Sequence, residues 1–279
     1  MTPLFLQCGE RRLDLSCAPF VMGVLNITPD SFSDGGQFMS SEAALCQAEL
    51  MVREGAAIVD VGAESSRPGS KPVCVQQQLD RLVPVVESIL DRLDVVVSVD
   101  TSESEVMRES LVRGAHMIND IRALQGHGSM EAVAESGACV CLMHMRGEPQ
   151  TMQEAPCYGD LMDEIRVFLD KKKQACLSAG LSPEQIVVDP GFGFGKTFEH
   201  NAEILRRLHE LQSLKAPVLI GLSRKSWLGY VLGGADVSKR LHAGVAAAVV
   251  GVMKGAHIVR THDVGSTREA LRLVSALAG

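Results

Sequence analysis

Eight places in this chain put a hydrogen-bonding or charged residue just past a short apolar run, and the residue types fall into two chemical sets. Asp100, Asn119, Asp189 and Lys225 combine carboxylates, an amide and a cation. Carboxylates accept from ring and exocyclic N–H groups and a lysine donates to a carbonyl, so this set suits a flat, amide-like heterocycle. Asn26, Arg67, Arg260 and His262 form an anion-seeking set. Arginine forks and an imidazole suit a pyrophosphate, and an Asn carbonyl oxygen can help hold Mg2+, a hard cation that prefers oxygen. Taken singly, several of these residues have plainer readings. Asp100 and Asn119 belong to types that cap helices, and a lone His144 is more often a hydrogen-bonded packing residue than a catalyst. His116, His209 and His257 read as structural or exposed. Asp189 is harder to explain as a cap, because the glycine-rich stretch Gly191-Phe192-Gly193-Phe194-Gly195-Lys196 follows it before any helix begins. That stretch matches neither the dinucleotide fingerprint nor the P-loop. It reads as a wall that a flat ligand can approach closely, with Phe194 stacking on it.

The elements that must position these residues are short apolar runs at 21–25, 58–62, 95–99, 116–118, 138–143, 186–188, 217–222 and 256–259. Each is too short for a globular helix and rich in Val and Ile, as expected of parallel strands covered on both faces. Amphipathic patterns lie between them. Ala44, Leu45, Ala48, Met51 and Val52 make one stripe, ending at Gly55; Leu79, Leu82, Val83, Val86, Ile89 and Leu93 make a second; Leu161, Ile165, Phe168, Leu169 and Cys176 make a third, stopped at Gly180. Alternating strands and helices with no Pro-, Gly- or Ser-rich linker favour one α/β domain over residues 1–279, a (β/α)8 TIM barrel. Residues 4–15 read as an N-terminal β-hairpin turning near Gly9-Glu10 that could plug the barrel floor. The stretch 146–160, polar and with two prolines, reads as a long surface loop. In such barrels the active site is built at the C-terminal ends of the strands. The polar and charged residues fall there, and the strands beneath read as almost wholly apolar.

Composition narrows the class. The 279 residues are 46% apolar, enough for a substantial core, and carry a net charge of −7. There is no basic run of five or more, so nucleic acid is not an expected partner. No stretch approaches the roughly 20 apolar residues of a membrane span, and residues 1–15 carry Glu10, Arg11, Arg12 and Asp14 rather than a signal peptide's apolar run. The eight cysteines are scattered without a C-x-x-C pair, which reads as reduced thiols in a cytoplasmic protein. The Ala-, Val- and Gly-rich segments 242–255 and 266–277 suggest close helix packing and a homodimer interface.

The polar segments at the strand ends carry a resemblance. They are Asn26-Ile27-Thr28-Pro29-Asp30-Ser31-Phe32-Ser33-Asp34-Gly35-Gly36, Glu64-Ser65-Ser66-Arg67-Pro68-Gly69, Ser98-Val99-Asp100-Thr101, Ile118-Asn119-Asp120, Asp189-Pro190-Gly191-Phe192-Gly193-Phe194-Gly195-Lys196, Gly221-Leu222-Ser223-Arg224-Lys225-Ser226 and Arg260-Thr261-His262-Asp263-Val264. Together they resemble the motifs of the dihydropteroate synthases, bacterial single-domain type, over nearly the whole chain. One departure is Ser66, where the family commonly has threonine; the hydroxyl is kept.

The resemblance implies a transferase of folate synthesis, a sulfonamide target. It would condense 6-hydroxymethyl-7,8-dihydropterin pyrophosphate with p-aminobenzoate to give 7,8-dihydropteroate and pyrophosphate. It implies a pterin between Asp100, Asn119, Asp189 and Lys225, with Met143 and Ile121 as apolar walls. Asn26 would bind Mg2+ and pyrophosphate, with Arg67, Arg260 and His262 on the diphosphate. Phe32, Ser66, Arg67, Pro68, Phe194 and Ser226 would shape the p-aminobenzoate site. The catalytic roles would fall to Asp34, Lys225, Arg260 and His262. Two rival readings are a pterin-dependent methyltransferase, which would lack the 28–34 loop and the 66–69 segment, and a non-catalytic pterin-binding relative, which would have lost Asp34 or Arg67. This sequence keeps all of them.

Overall fold

The structure is a computed structural model that describes residues 4–16, 18–27, 41–64, 73–149 and 151–277. Eight parallel strands follow one another around a barrel: β3 (Phe20–Asn26), β4 (Ile58–Gly62), β5 (Val96–Asp100), β6 (Met117–Asp120), β7 (Cys139–Met143), β8 (Ile186–Asp189), β9 (Leu219–Gly221) and β10 (Ile258–Thr261). Hydrogen bonding runs in the order β8-β7-β6-β5-β4-β3-β10-β9. A parallel bridge between Val188 and Val218, with the Val188 N–H donating to Pro217 O at 2.9 Å, joins β8 to the β9 side and closes the ring. Every apolar run read from the sequence is one of these strands. The helices α1 (Ser41–Arg53), α2 (Val75–Arg92), α3 (Ser104–Val112), α4 (Ser129–Ala134), α5 (Leu161–Ser178), α6 (Phe198–Arg207), α7 (Ser226–Val231), α8 (Leu241–Met253) and α9 (Val264–Leu277) intervene.

Successive strand residues face opposite sides, and this alternation sorts the barrel into two cores. Outward residues such as Val59, Val61, Val97, Val99, Val140, Leu142, Ile186 and Val188 pack with the helices. An inward residue near the start of each strand (Met22, Ile58, Val96, Met117, Cys139, Val187, Leu219 and Ile258) belongs to a separate cluster with Leu6, Cys8 and Leu15. Leu6 and Cys8 come from the hairpin β1 (Phe5–Cys8) and β2 (Arg11–Asp14), which pair antiparallel around the Gly9-Glu10 turn. The hairpin therefore seals the N-terminal end of the barrel, and inward residues one step further along each strand are free to be polar.

Two sequence expectations need correcting here. The strands are not wholly apolar inside, because Asp60 and Ser98 are fully buried on β4 and β5. The described residues of the 146–160 stretch hold no strand or helix, but it is not simply a surface loop. Met152 is buried with Met143 and Phe194, and the Tyr158 hydroxyl donates to Gly195 O at 2.7 Å. Its polarity hid one apolar anchor and one aromatic latch.

Because Leu6 is fully buried in the floor cluster, Leu6→Ala should cost about 2–5 kcal/mol of unfolding free energy, the usual price of an unfilled core cavity. Urea denaturation measures it, and ligand binding at the opposite end should be unchanged once the protein is folded.

Candidate active site

Strand register lines up the mouth. Asn26 pairs with Gly62, Gly62 with Asp100, and Asp100 with Asn119. With only a glycine between them, Asn26 and Asp100 share one space: a Cβ on Gly62 would lie 3.7 Å from Asn26 Oδ1 and 3.8 Å from Asp100 Oδ2. One step deeper, Asp60 lies level with Ser98. Arg260 rises from β10 and bridges the two depths. Its Nε donates to Asp60 Oδ2 at 2.6 Å and its Nη2 to Asp100 Oδ2 at 2.7 Å. Asp60 also accepts from Ser98 Oγ at 2.7 Å and from Asn119 Nδ2 at 3.1 Å. Neither Asp100 nor Asn119 caps a helix; the residue that caps α3 is Glu103.

The opposite wall comes from the turns after β6, β7, β8 and β9. Asp120 accepts from the N–H groups of Arg122 and Leu124 at 2.8 and 2.7 Å, curling the chain so that Ile121 joins Met143 and Phe194 in one apolar cluster. Asp189 accepts from the Gly191 N–H at 2.7 Å. Gly191 and Gly195 have φ of +71° and +64°, and a Cβ on them would lie 2.0 Å from His144 O and 2.2 Å from Arg146 O. These glycines therefore make room for the chain itself, where the sequence suggested room for a ligand. The Lys225 ammonium lies 4.1 Å from the Phe194 ring centroid, and Ser226 follows it, exposed, as the first residue of α7. His262 lies just past β10, its Nδ1 3.1 Å from Ser223 Oγ.

Behind the wall, Lys196 is buried and makes three contacts. Its Nζ lies 2.9 Å from Phe194 O, 3.2 Å from His144 O and 3.0 Å from His144 Nδ1. Burial, then the charge of Lys196, drives His144 down to about 2, so its imidazole is neutral and Nδ1 accepts. Burial pushes Lys196 itself down to about 7 while Asp189 pulls the other way.

Charge in the mouth is balanced but strained. Burial raises Asp100 to about 7, opposed by Arg260 and reinforced by Asp60. Burial raises Asp189 to about 6, opposed by the Gly191 N–H and Lys225. Lys225 falls to about 8 through burial and the nearby Arg260 charge. Arg260 stays protonated: burial works against its charge, but Asp60 and Asp100 more than offset that. Perturbed carboxylates and a perturbed lysine facing one cavity are the mark of a functional site.

The structure thus gathers Asn26, Asp100, Asn119, Met143, Ile121, Asp189, Phe194, Lys225 and Arg260 at the C-terminal end of the barrel, with Ser226 and His262 on the adjoining rim. Phe32, Asp34, Ser66, Arg67 and Pro68 lie outside the described residues. The sequence reading missed Asp60 and Lys196 as site residues. Asp60 carried a signal, a carboxylate in the middle of Ile58-Val59-Asp60-Val61; a charge there must be paired to be tolerated. Lys196 carried none that distinguishes it from an exposed loop lysine.

The raised Asp100 pKa has a measurable consequence. The folded protein holds this proton from its ordinary value of 3.8 up to about 7, so the cost of burying the carboxylate is absent in acid and grows as pH rises through that window. Asp100→Asn removes the cost. Its unfolding free energy relative to the parent should climb with pH between about 4 and 7, by at most about 1.4 kcal/mol per unit, and then level off. Paired thermal melts across that range test this; a difference independent of pH would contradict it.

Comparison with known proteins agrees with this geometry. The family model described as "Pterin binding enzyme" matches residues 22–262. The dihydropteroate synthase of Escherichia coli (strain K12) is 52% identical over 264 residues, covering 95% of this chain and 93% of that protein. Among solved structures, the Yersinia pestis dihydropteroate synthase with a sulfonamide drug superposes with a TM-score of 0.94 at 47% identity, covering 99% of each chain. The Burkholderia cenocepacia enzyme complexed with 7,8-dihydropteroate superposes with a TM-score of 0.89 at 42% identity, covering 99% of this chain and 97% of that one. With its mouth residues gathered on one barrel rim and its likeness running nearly end to end, the chain belongs to the dihydropteroate synthases of the pterin binding enzyme family.

Proposed function

We propose that this barrel, acting as one domain, joins 6-hydroxymethyl-7,8-dihydropterin pyrophosphate to p-aminobenzoate, releasing pyrophosphate, with the residues of its mouth in separate roles. The observation that carries this reading is the pairing of a carboxylate-amide-lysine set with an apolar cluster at one end of the barrel. Asp100, Asn119 and Asp189 accept from the N–H groups of the pterin and Lys225 donates to its carbonyl, while Met143 and Ile121 cover its faces. Phe194, beneath the Lys225 ammonium, walls the arylamine side together with Phe32, Ser66, Arg67, Pro68 and Ser226. Asn26, Arg67, Arg260 and His262 take the diphosphate. Arg260 is already engaged by Asp60 and Asp100, so its charge works through the cavity as a whole as much as through direct contact.

Among the described residues no cluster of three or more His, Cys, Asp or Glu could hold a metal. A lone Asn26 oxygen fits Mg2+ that keeps waters and shares the substrate's phosphates better than a resident cage. When bound there, Mg2+ supplies positive charge to the leaving group. The chain's own groups do the rest. The bond between the methylene carbon and the pyrophosphate oxygen breaks, and its electron pair leaves with pyrophosphate, toward the Arg260 guanidinium and the His262 imidazole. The electron-rich dihydropterin carries the resulting carbocation, which Asp34 stabilises. The arylamine nitrogen forms the new bond and gives up a proton. The amine is largely neutral at pH 7, so no strong base is required. This is a dissociative substitution.

Two further features belong to this reading. Val250 and Met253 on α8 and Leu273 and Leu277 on α9 are exposed, Met253 and Leu277 to 72% and 78%. Apolar exposure of this extent calls for cover, and a homodimer through α8 and α9 supplies it. The seven described cysteines are free thiols, and no helix among the described residues is long and apolar enough to cross a membrane; both fit a cytoplasmic enzyme.

Mixing the protein with the pterin pyrophosphate, Mg2+ and p-aminobenzoate should yield a coupled pterin–arylamine product. Asp189→Ala should weaken pterin binding by at least about tenfold, whereas Asp34→Ala should chiefly slow turnover; an unchanged rate in Asp34→Ala would remove its assigned role. Light scattering should give twice the chain mass, and Met253→Glu should shift it toward the monomer.

A further inference from the structure

Asp60 lies one inward position deeper than Gly62, which pairs with Asp100 at the mouth, and is fully buried in a strand that is otherwise Ile, Val and Gly. A carboxylate in such a place is costly unless several donors meet it, and three do. Ser98 Oγ donates to Oδ1, while Asn119 Nδ2 and Arg260 Nε both donate to Oδ2. An ionised carboxylate can only accept. The side-chain amide of Asn119 therefore has no choice of orientation: its NH2 must face Asp60. Its oxygen is turned the other way, and no group of the described protein donates to it. Asn119 lies in register with Asp100 at the mouth, so that oxygen is the face of the amide that a ligand meets. Asp60 acts on Arg260 in the same manner. With Nε on Asp60 and Nη2 on Asp100, the plane of the guanidinium is fixed by two contacts from two strands.

We propose that Asp60 is a positioning residue that sets specificity: by accepting from Asn119 it presents the amide oxygen to the pocket, so that the pocket selects a heterocycle offering an N–H at that point. An unanchored asparagine could rotate and present either its donor or its acceptor, and would discriminate poorly. A site whose polar groups are fixed in advance rejects a ligand that leaves them unpaired far more strongly than an apolar pocket rejects a misfit. This inference rests on the reading of the cavity as the pterin site.

Two substitutions separate orientation from charge. Asp60→Asn can keep its oxygen toward Asn119 and Arg260 and turn its NH2 toward Ser98, whose hydroxyl can rotate to accept; it loses charge and keeps orientation. Asp60→Leu loses both. The probe is 6-hydroxymethyl-7,8-dihydropterin pyrophosphate with Mg2+, its affinity measured by calorimetry on folded protein, alongside the KM for p-aminobenzoate at saturating pterin. Asp60→Leu should bind the pterin more than about 100-fold more weakly, Asp60→Asn within about tenfold of the parent, and both should keep the p-aminobenzoate KM within about threefold. A purely structural Asp60 would lower the melting temperature and leave pterin affinity alone, and that result overturns the proposal. So does a loss in Asp60→Asn as large as that in Asp60→Leu, which would make charge the cause. If Asp60→Leu does not fold, Asp60→Ala, which removes the same acceptor, takes its place with the same expected and overturning results. Failure of the unaltered protein to bind or couple the pterin would instead reject the reading of the pocket.

Discussion

Three carboxylates and three cations are held out of bulk water at one end of this barrel, and the rest of the structure is arranged so that they can stay there. Asp60, Asp100 and Asp189 face Arg260, Lys225 and Lys196. Taking such charges out of water is expensive, and mutual attraction repays it only when geometry is good and remaining hydrogen bonds are satisfied. Asp60 is satisfied three times over within the protein. Asp100 and Asp189 are not, which is why burial lifts both well above the ordinary carboxylate range. The deeper group is the finished one and the two above it are left short of donors. On the proposed reading, a ligand rich in N–H groups would complete the set and recover part of the cost of folding these residues.

The barrel makes that gradient possible. Inward positions run from apolar at the floor, through Asp60 and Ser98, to Asp100, Asn119 and Asp189 at the mouth. Each step is two residues along a strand, the spacing at which side chains return to the same face. The hairpin carrying Leu6 and Cys8 closes the other end, which keeps water from reaching the polar layer from below. A low-polarity floor strengthens every electrostatic interaction above it. The positioning of Arg260 by two carboxylates from neighbouring strands depends on strand register, and a slip of one residue would send Asp60 outward among the helices.

Much of this was legible in the sequence because strands and rims carry different chemistry. Val- and Ile-rich runs located all eight strands of the barrel, and the polar residue at each run's end named the mouth. Asp100, Asn119, Asp189 and Lys225 could be read as recognition groups because no plainer role explains all four at once. Asp60 was passed over because a single carboxylate in an apolar run looks like noise until its partners are known, and two of those, Asn119 and Arg260, are distant in sequence. Lys196 was passed over for a related reason. Its acceptors are two carbonyls and an imidazole from the chain's own turns, which composition cannot announce. The glycines of the Gly191–Gly195 stretch were noticed but given the wrong neighbour, since sequence shows that something comes close and not what it is.

Lys196 also explains why the wall it supports can be built from glycine and phenylalanine. A protonated amine has three N–H groups, and here three acceptors surround it. Two of them are the carbonyls of His144 and Phe194, from the turns after β7 and β8. One buried cation therefore ties together two turns that positive-φ glycines would otherwise leave loosely defined. It does so on the side of Phe194 that the cavity does not use. The neutral His144 imidazole, held by burial and the adjacent ammonium far below its usual pKa, completes that shell without adding charge. Lys196 thus gives the wall its rigidity and adds to the positive charge that Lys225 sets against Asp189.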